Sequence, residues 1–188
     1  MRWLAFAFSL MQATCAAAAE FGLADLMNML ARVPAAEAAF TETRRLALLE
    51  SPLVLKGTLA YTRPDRLEKH ILTPYDERTV VAGNTVTIEN RTRNRTTMLS
   101  LASAPAALTL VESLRATLSG DAAALERRYT VRLAGTAQDW TLALTPREPG
   151  VAALVVAVRL SGKGSQVLRL EVEEAGGDTS VTVIEGRP

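Results

Sequence analysis

The chain has 188 residues, with 21 Lys+Arg against 20 Asp+Glu, one histidine and one cysteine. That length suits one domain with its own core. The charge balance leaves no basic field for nucleic acid, and the lone His and Cys leave no cluster at metal-ligand spacing.

Residues 1–19 read as a secretory signal peptide: Met1 and Arg2 give a positive start, Trp3 to Met11 are apolar, and small residues lead to Ala19. An anchor that stays in place is the alternative, but the apolar run is short against the ~20 residues of a span. Cys15 lies in this leader, and Gln12-Ala13-Thr14 is a poor lead-in for lipidation of that cysteine. Cleavage near Ala19 removes Arg2 and no acid, leaving the mature charge near zero. The product is expected to be soluble and exported, with residues 20–188 as its domain.

Residues 21–33, FGLADLMNMLARV, place Leu23, Leu26, Met27 and Leu30 at helical spacing before Pro34, which predicts a helix of about three turns. Its methionines suit core packing or an adaptable lipid-facing surface. From residue 36 the period becomes two. Phe40, Leu46 and Leu48 share a parity, with Glu42 and Arg44 between them on the same face. Leu53, Leu55, Leu59 and Tyr61 share a face of the next strand, which Pro64 ends. Residues 66–72, 78–81, 85–89 and 96–101 are further strands, and Ala82-Gly83-Asn84 is a hairpin turn.

Residues 105–118 break the sheet pattern. Ala106, Leu108, Leu110, Val111, Leu114 and Leu118 suit a helix with two apolar sides, opened by Pro105. Asp121 can cap a shorter helix through Leu125. Strands then resume at 128–133, 140–145, 151–160, 166–173 and 179–184. The order predicts an α+β domain: one antiparallel sheet that must cover its apolar face, with an N-terminal helix and a mid-chain helix as covers.

Catalysis needs a nucleophile with a base, a tuned acid pair or a metal. The mature chain has no cysteine, and His70 shares parity with Arg66 and Glu68 on a face expected to meet water. Glu42 with Arg44 lacks a nucleophile, and Asp76-Glu77 and Glu173-Glu174 read as solvated charges. Arg91, Arg93 and Arg95 share one parity, as a docking patch for an acidic partner or as a charged edge that discourages aggregation. No enzyme activity and no cofactor are expected.

The pattern resembles the periplasmic outer membrane lipoprotein carrier family LolA. Phe40-Thr41-Glu42 stands where that family usually has Phe-x-Gln; Gly57 is followed by five residues and Arg63-Pro64; nine residues separate Pro64 from Pro74; a charged run reaches Gly83; and residues 129–146 resemble the family's strand pair ending in Leu-x-Pro. The resemblance covers most of the mature chain. It implies an open half-barrel with helices as a lid and a cavity for acyl chains, lined here by Phe40, Leu46, Leu55, Leu59, Tyr61, Val86, Ile88, Leu108, Val111 and Leu114. It also implies that Arg63 latches the lid through the lid backbone. The implied partners are lipid or lipoprotein acyl chains, an inner-membrane export complex and an outer-membrane acceptor, served by a monomer. An adaptor that senses lipid and regulates a membrane partner is the alternative. The chain departs from the family at Leu67-Glu68-Lys69, in place of Phe-x-Trp, at Thr87 and Glu89, in place of aromatics, and at Glu42, in place of Gln.

Overall fold

Alternation along the strands builds a sheet with one apolar face. A computed structural model describes residues 21–186; the leader, its cleavage point and Cys15 lie outside them. Helix α1 (Leu23–Leu30) is followed by strands β1 (Ala35–Arg45), β2 (Leu53–Thr62), β3 (Arg66–Thr73), β4 (Glu77–Ala82), β5 (Thr85–Asn90) and β6 (Arg95–Ser100). Helices α2 (Pro105–Ser119) and α3 (Ala122–Arg128) come next, then β7 (Tyr129–Thr136), β8 (Asp139–Pro146), the short helix α4 (Pro149–Ala152), β9 (Val155–Lys163), β10 (Gln166–Glu174) and β11 (Thr179–Gly186).

All eleven strands form one antiparallel sheet in the order β6-β5-β4-β3-β2-β1-β11-β10-β9-β8-β7. Strand β1 joins the halves, pairing Phe40 with Gly57 on one side and Ile184 on the other. Edges β6 and β7 are not hydrogen-bonded to each other, so the sheet is an open half-barrel. The segment that connects these edges is the one that carries α2 and α3.

Paired residues share a face, so the register fixes the concave side. Trp140, Leu142 and Leu144 of β8, Val158 and Leu160 of β9, and Val172 of β10 pack with Leu26, Met27 and Leu30 of α1, Ala116 of α2 and Leu125 of α3 in the main core. Trp140 is fully buried, and its indole Nε1 donates to the Gly164 carbonyl at 2.9 Å.

The helix boundaries follow local chemistry. The Asp25 carboxylate accepts from the Gly22 N–H at 2.9 Å and opens α1, which is two turns rather than the predicted three. Pro105 opens α2, and Gly120 ends it with φ +77°. Asp121 Oδ1 accepts from the Ala124 N–H at 2.8 Å and starts α3.

Two expectations need correction. Residues 151–160 are not one strand: Pro149 starts a helical turn, and pairing begins at Val155. Leu46 and Leu48 are not on the face of β1, which ends at Arg45; the chain turns there, and Leu48 stands 98 % exposed. His70 lies on the convex, outward face as its parity indicated, half-buried and with Nε2 2.8 Å from Asp76 Oδ1.

Helix α1 passes close under the end of α2. A Cβ on Gly120 would run into the Met27 carbonyl and lie 2.7 Å from Ala31 Cβ. Gly164 also has positive φ, yet a Cβ there meets nothing within 4 Å. Gly120→Ala is therefore expected to cost about 2 kcal/mol or more, and Gly164→Ala about 1 kcal/mol, in urea melts; equal losses would mean that the α1–α2 approach is not tight.

Candidate functional site

The concave face divides into regions of different chemistry. Under the α1–α3 layer lies the main core described above, joined by half-buried Leu110 and Leu114 from one side of α2. The other side of α2 brings Leu108 and Val111 against Val81, Val86, Leu101, Leu67, Ile88 and Leu99. Phe40, Leu55 and Ile71, with Leu53, Leu59 and Tyr75 around them, form a third cluster that includes no helix residue.

Helix α2 is thus a two-sided cover, as its leucine spacing suggested. Its most buried face was not foreseen: Thr109, Ser113, Ala116 and Thr117 recur along it. The three hydroxyls stay satisfied, donating to the carbonyls of Pro105, Leu110 and Ser113 at 2.8, 2.8 and 2.7 Å. Small side chains let α2 lie close to its neighbours, and the leucines spread to either flank. The Tyr129 hydroxyl anchors the helix by donating to the Thr109 carbonyl at 2.8 Å.

Two arginine bonds tie the C-terminal half of α2 to the turn between β2 and β3. Arg63 Nη2 donates to the Ser119 carbonyl at 2.9 Å. In the reverse direction, Arg115 Nε from α2 donates to the Asp65 carbonyl at 2.9 Å. Arg115 also lies 3.6 Å from Glu112, which Arg128 approaches at 3.5 Å. Nothing in the sequence singles out Arg115, because an arginine on a helix reads as solvated until its partner loop is known. Tyr61 Oη and Arg115 Nη2 are buried without a hydrogen-bond partner among the described residues.

The expected lining residues therefore separate. Phe40, Leu55 and Leu59 meet in one cluster; Val86, Ile88, Leu108 and Val111 meet in another; and Leu114 belongs to the main core. Tyr61 is buried on the same face of β2. Leu46 sits in the turn after β1, outside these clusters. Of the departures from the family pattern, Thr87 and Glu89 alternate with Val86 and Ile88 and so lie on the convex face. Arg91, Arg93 and Arg95 are exposed around the β5–β6 turn.

A charged group interrupts the apolar wall. Glu42, only 3 % exposed, accepts from Arg44 Nε at 2.5 Å through one oxygen and from Lys69 Nζ through the other. The Lys69 ammonium also stands 5.1 Å from the centre of the Phe40 ring, a cation–π contact. Lys69 shares its face with Leu67 and Ile71, and Gly57 places no side chain between it and Phe40. Parity put Glu42 and Arg44 together; the pairing with Lys69, 27 positions away, needed the β1–β2–β3 register.

Burial alone would raise the Glu42 carboxyl, but Lys69 and then Arg44 outweigh it and hold the group below its usual range. Burial pulls the Lys69 ammonium down, and Glu42 offsets only part of that. Burial and then Glu77 push the Tyr75 phenol up, keeping it a donor. No group of three or more potential metal ligands occurs among the described residues.

A model of the family described as "Outer membrane lipoprotein carrier protein LolA-like" matches residues 14–187. No curated protein is similar in sequence. Among solved structures, a LolA superfamily protein from Nitrosomonas europaea is 11 % identical, with 87 % of this chain and 92 % of that one covered and a TM-score of 0.45. A putative outer membrane lipoprotein-sorting protein domain from Vibrio parahaemolyticus is 8 % identical over 86 % of this chain and 88 % of that one, TM-score 0.44. A chain of the Pseudomonas aeruginosa MucA/MucB complex is 14 % identical over 86 % of this chain; only 55 % of that longer chain is covered, TM-score 0.44.

The Glu42 network has a pH signature. Its folded pKa lies below the 4.5 of an ordinary glutamate. The stabilisation is therefore present above that ordinary value and is lost as pH falls from it through the folded pKa. Thermal unfolding of the wild type should drop on acidification from pH 5, and Glu42→Gln should flatten that drop. An unchanged acid profile in the variant would mean that the pair contributes no net stability. Glu68, held down on the convex face chiefly by its hydrogen bond from Arg78, contributes separately and serves as the internal comparison.

Proposed function

Because the chain belongs to the outer membrane lipoprotein carrier LolA-like family, we propose that it is a periplasmic carrier. In this reading it takes the acyl chains of a lipoprotein or another lipid from an inner-membrane export complex, shields them in water and yields them to an outer-membrane acceptor. Residues 1–19 are its cleaved export signal. It works as a monomer and performs no bond chemistry.

The observation that carries this reading is a two-sided helix laid over an open apolar sheet and tied down at one end. Leu108 and Val111 are half-buried against Val86 and Ile88, so moving α2 exposes an apolar wall without unfolding the sheet. Enclosing a chain there is favourable by about 0.8 kcal/mol per CH₂, which for a sixteen-carbon tail is on the order of ten kcal/mol before ordering costs. Smooth aliphatic walls grip without reading sequence, which suits varied cargo. Release then needs the wall to open again. The Arg63–Ser119 bond is the natural point of control, since it joins the sheet to the last residue of α2.

Native mass spectrometry of protein taken gently from its own periplasm should show a lipid adduct. Leu59→Asp or Ile88→Asp should abolish the adduct while circular dichroism stays native. A protein empty in a cell rich in exportable lipid, with a stoichiometric membrane regulator bound instead, would favour the adaptor. Arg63→Ala removes one charge-assisted bond at an exposed site, worth on the order of 1 kcal/mol, so exchange of α2 amides should quicken about fivefold. No change in exchange would remove Arg63 from the latch.

A further inference from the structure

The carrier reading explains apolar residues on the concave face but gives no role to its charges. A buried carboxylate with two cations is costly to place in an acyl groove. The three groups are not equally hidden. The Glu42 side chain is 3 % exposed, whereas those of Lys69 and Arg44 are 27 % and 39 % exposed. The acid lies beneath, and the cations are presented to the open side.

Both cations also keep capacity. The ammonium has three donors and the guanidinium five. Among the described residues, hydrogen bonds from Lys69 and Arg44 go only to Glu42, and Arg44 uses Nε alone. The two Nη groups of Arg44 remain for an anion. The other acid nearby is Glu77 on β4, which acts on Lys69 from a distance and accepts from Asn90 Nδ2 at 3.0 Å.

We propose that Arg44 and Lys69 form a headgroup subsite for an anionic amphiphile. Its carboxylate or phosphate competes with Glu42 for the two cations, while its chain follows the apolar wall. This rests on the carrier reading and narrows its cargo. Register bridges the two apolar clusters: Leu59, Lys69, Thr79 and Ile88 stand opposite one another across β2 to β5. Two strand spacings separate Lys69 from Ile88, about 10 Å, within reach of a ten-carbon chain. Phe40 and Tyr75 flank the start of that path, and Glu42 holds the cations in place when no ligand is bound.

The test uses the purified full chain and displacement of the neutral apolar probe N-phenyl-1-naphthylamine. Four ligands share a ten-carbon chain: decanoate, decyl phosphate, 1-decanol and decyltrimethylammonium. Decanoate or decyl phosphate is expected to displace the probe at least tenfold more tightly than 1-decanol, and the stronger of the two identifies the head. Lys69→Met and Arg44→Met should narrow that gap while leaving 1-decanol unchanged. Glu42→Gln should widen it by removing the competing carboxylate, and it tests the idea even where Lys69→Met fails to fold. Equal displacement by all four heads, or preference for decyltrimethylammonium, overturns the subsite and leaves the carrier standing. Failure of the probe and all four ligands to bind removes the carrier reading, and the subsite with it.

Discussion

Strands β6 and β7 are the two edges of the same sheet and do not pair, and this gap governs the rest of the molecule. A sheet of eleven strands with one apolar face must either close on itself or be covered. Here the chain leaving one edge crosses the concave face as α2 and α3 before it enters the other. The cover is therefore tethered through the backbone at both ends. Any displacement over the wall is bounded by the edges it connects.

Most of this architecture is legible in the sequence because period two and turn residues are strong local signals. Phe40, Leu55, Leu59, Val86 and Ile88 fall on the concave face, as their parity indicated. The α2 leucines divide onto two flanks as their spacing indicated. What local pattern misses is where local signals compete. Leu46 and Leu48 continue the parity of β1, but the chain turns after Arg45, and alternation alone does not say where pairing stops. Pro149 converts the start of an apolar run into a helical turn. The face of α2 that is most buried carries Thr109, Ser113 and Thr117, because close approach rewards small size and the helix backbone satisfies their hydroxyls.

The charged group shows the same limit at longer range. Lys69 is one of three lysines in the chain, and nothing local marks it until register brings it beside Glu42 and Phe40. An isolated glutamate on an apolar wall would be expensive; two donors make it tolerable, and their presence turns a uniform hydrophobic surface into one with a polar landmark. The wall thus has a direction, from the Glu42 end towards the clusters under α2. A surface with direction can hold an amphiphile in one orientation, whereas an unmarked wall would accept a chain either way round.

Both bonds between α2 and the β2–β3 turn end on main-chain carbonyls, those of Ser119 and Asp65. Every residue type has such a carbonyl, so the acceptor positions are free to drift while the arginines are not. Substitutions at 119 and 65 that keep the local backbone would leave the tether intact. Residue pairs that change together across related chains would then fail to reveal this contact, although it joins distant parts of the fold. The tether is written in two arginines and in backbone geometry, and it can persist through wide divergence of everything around it.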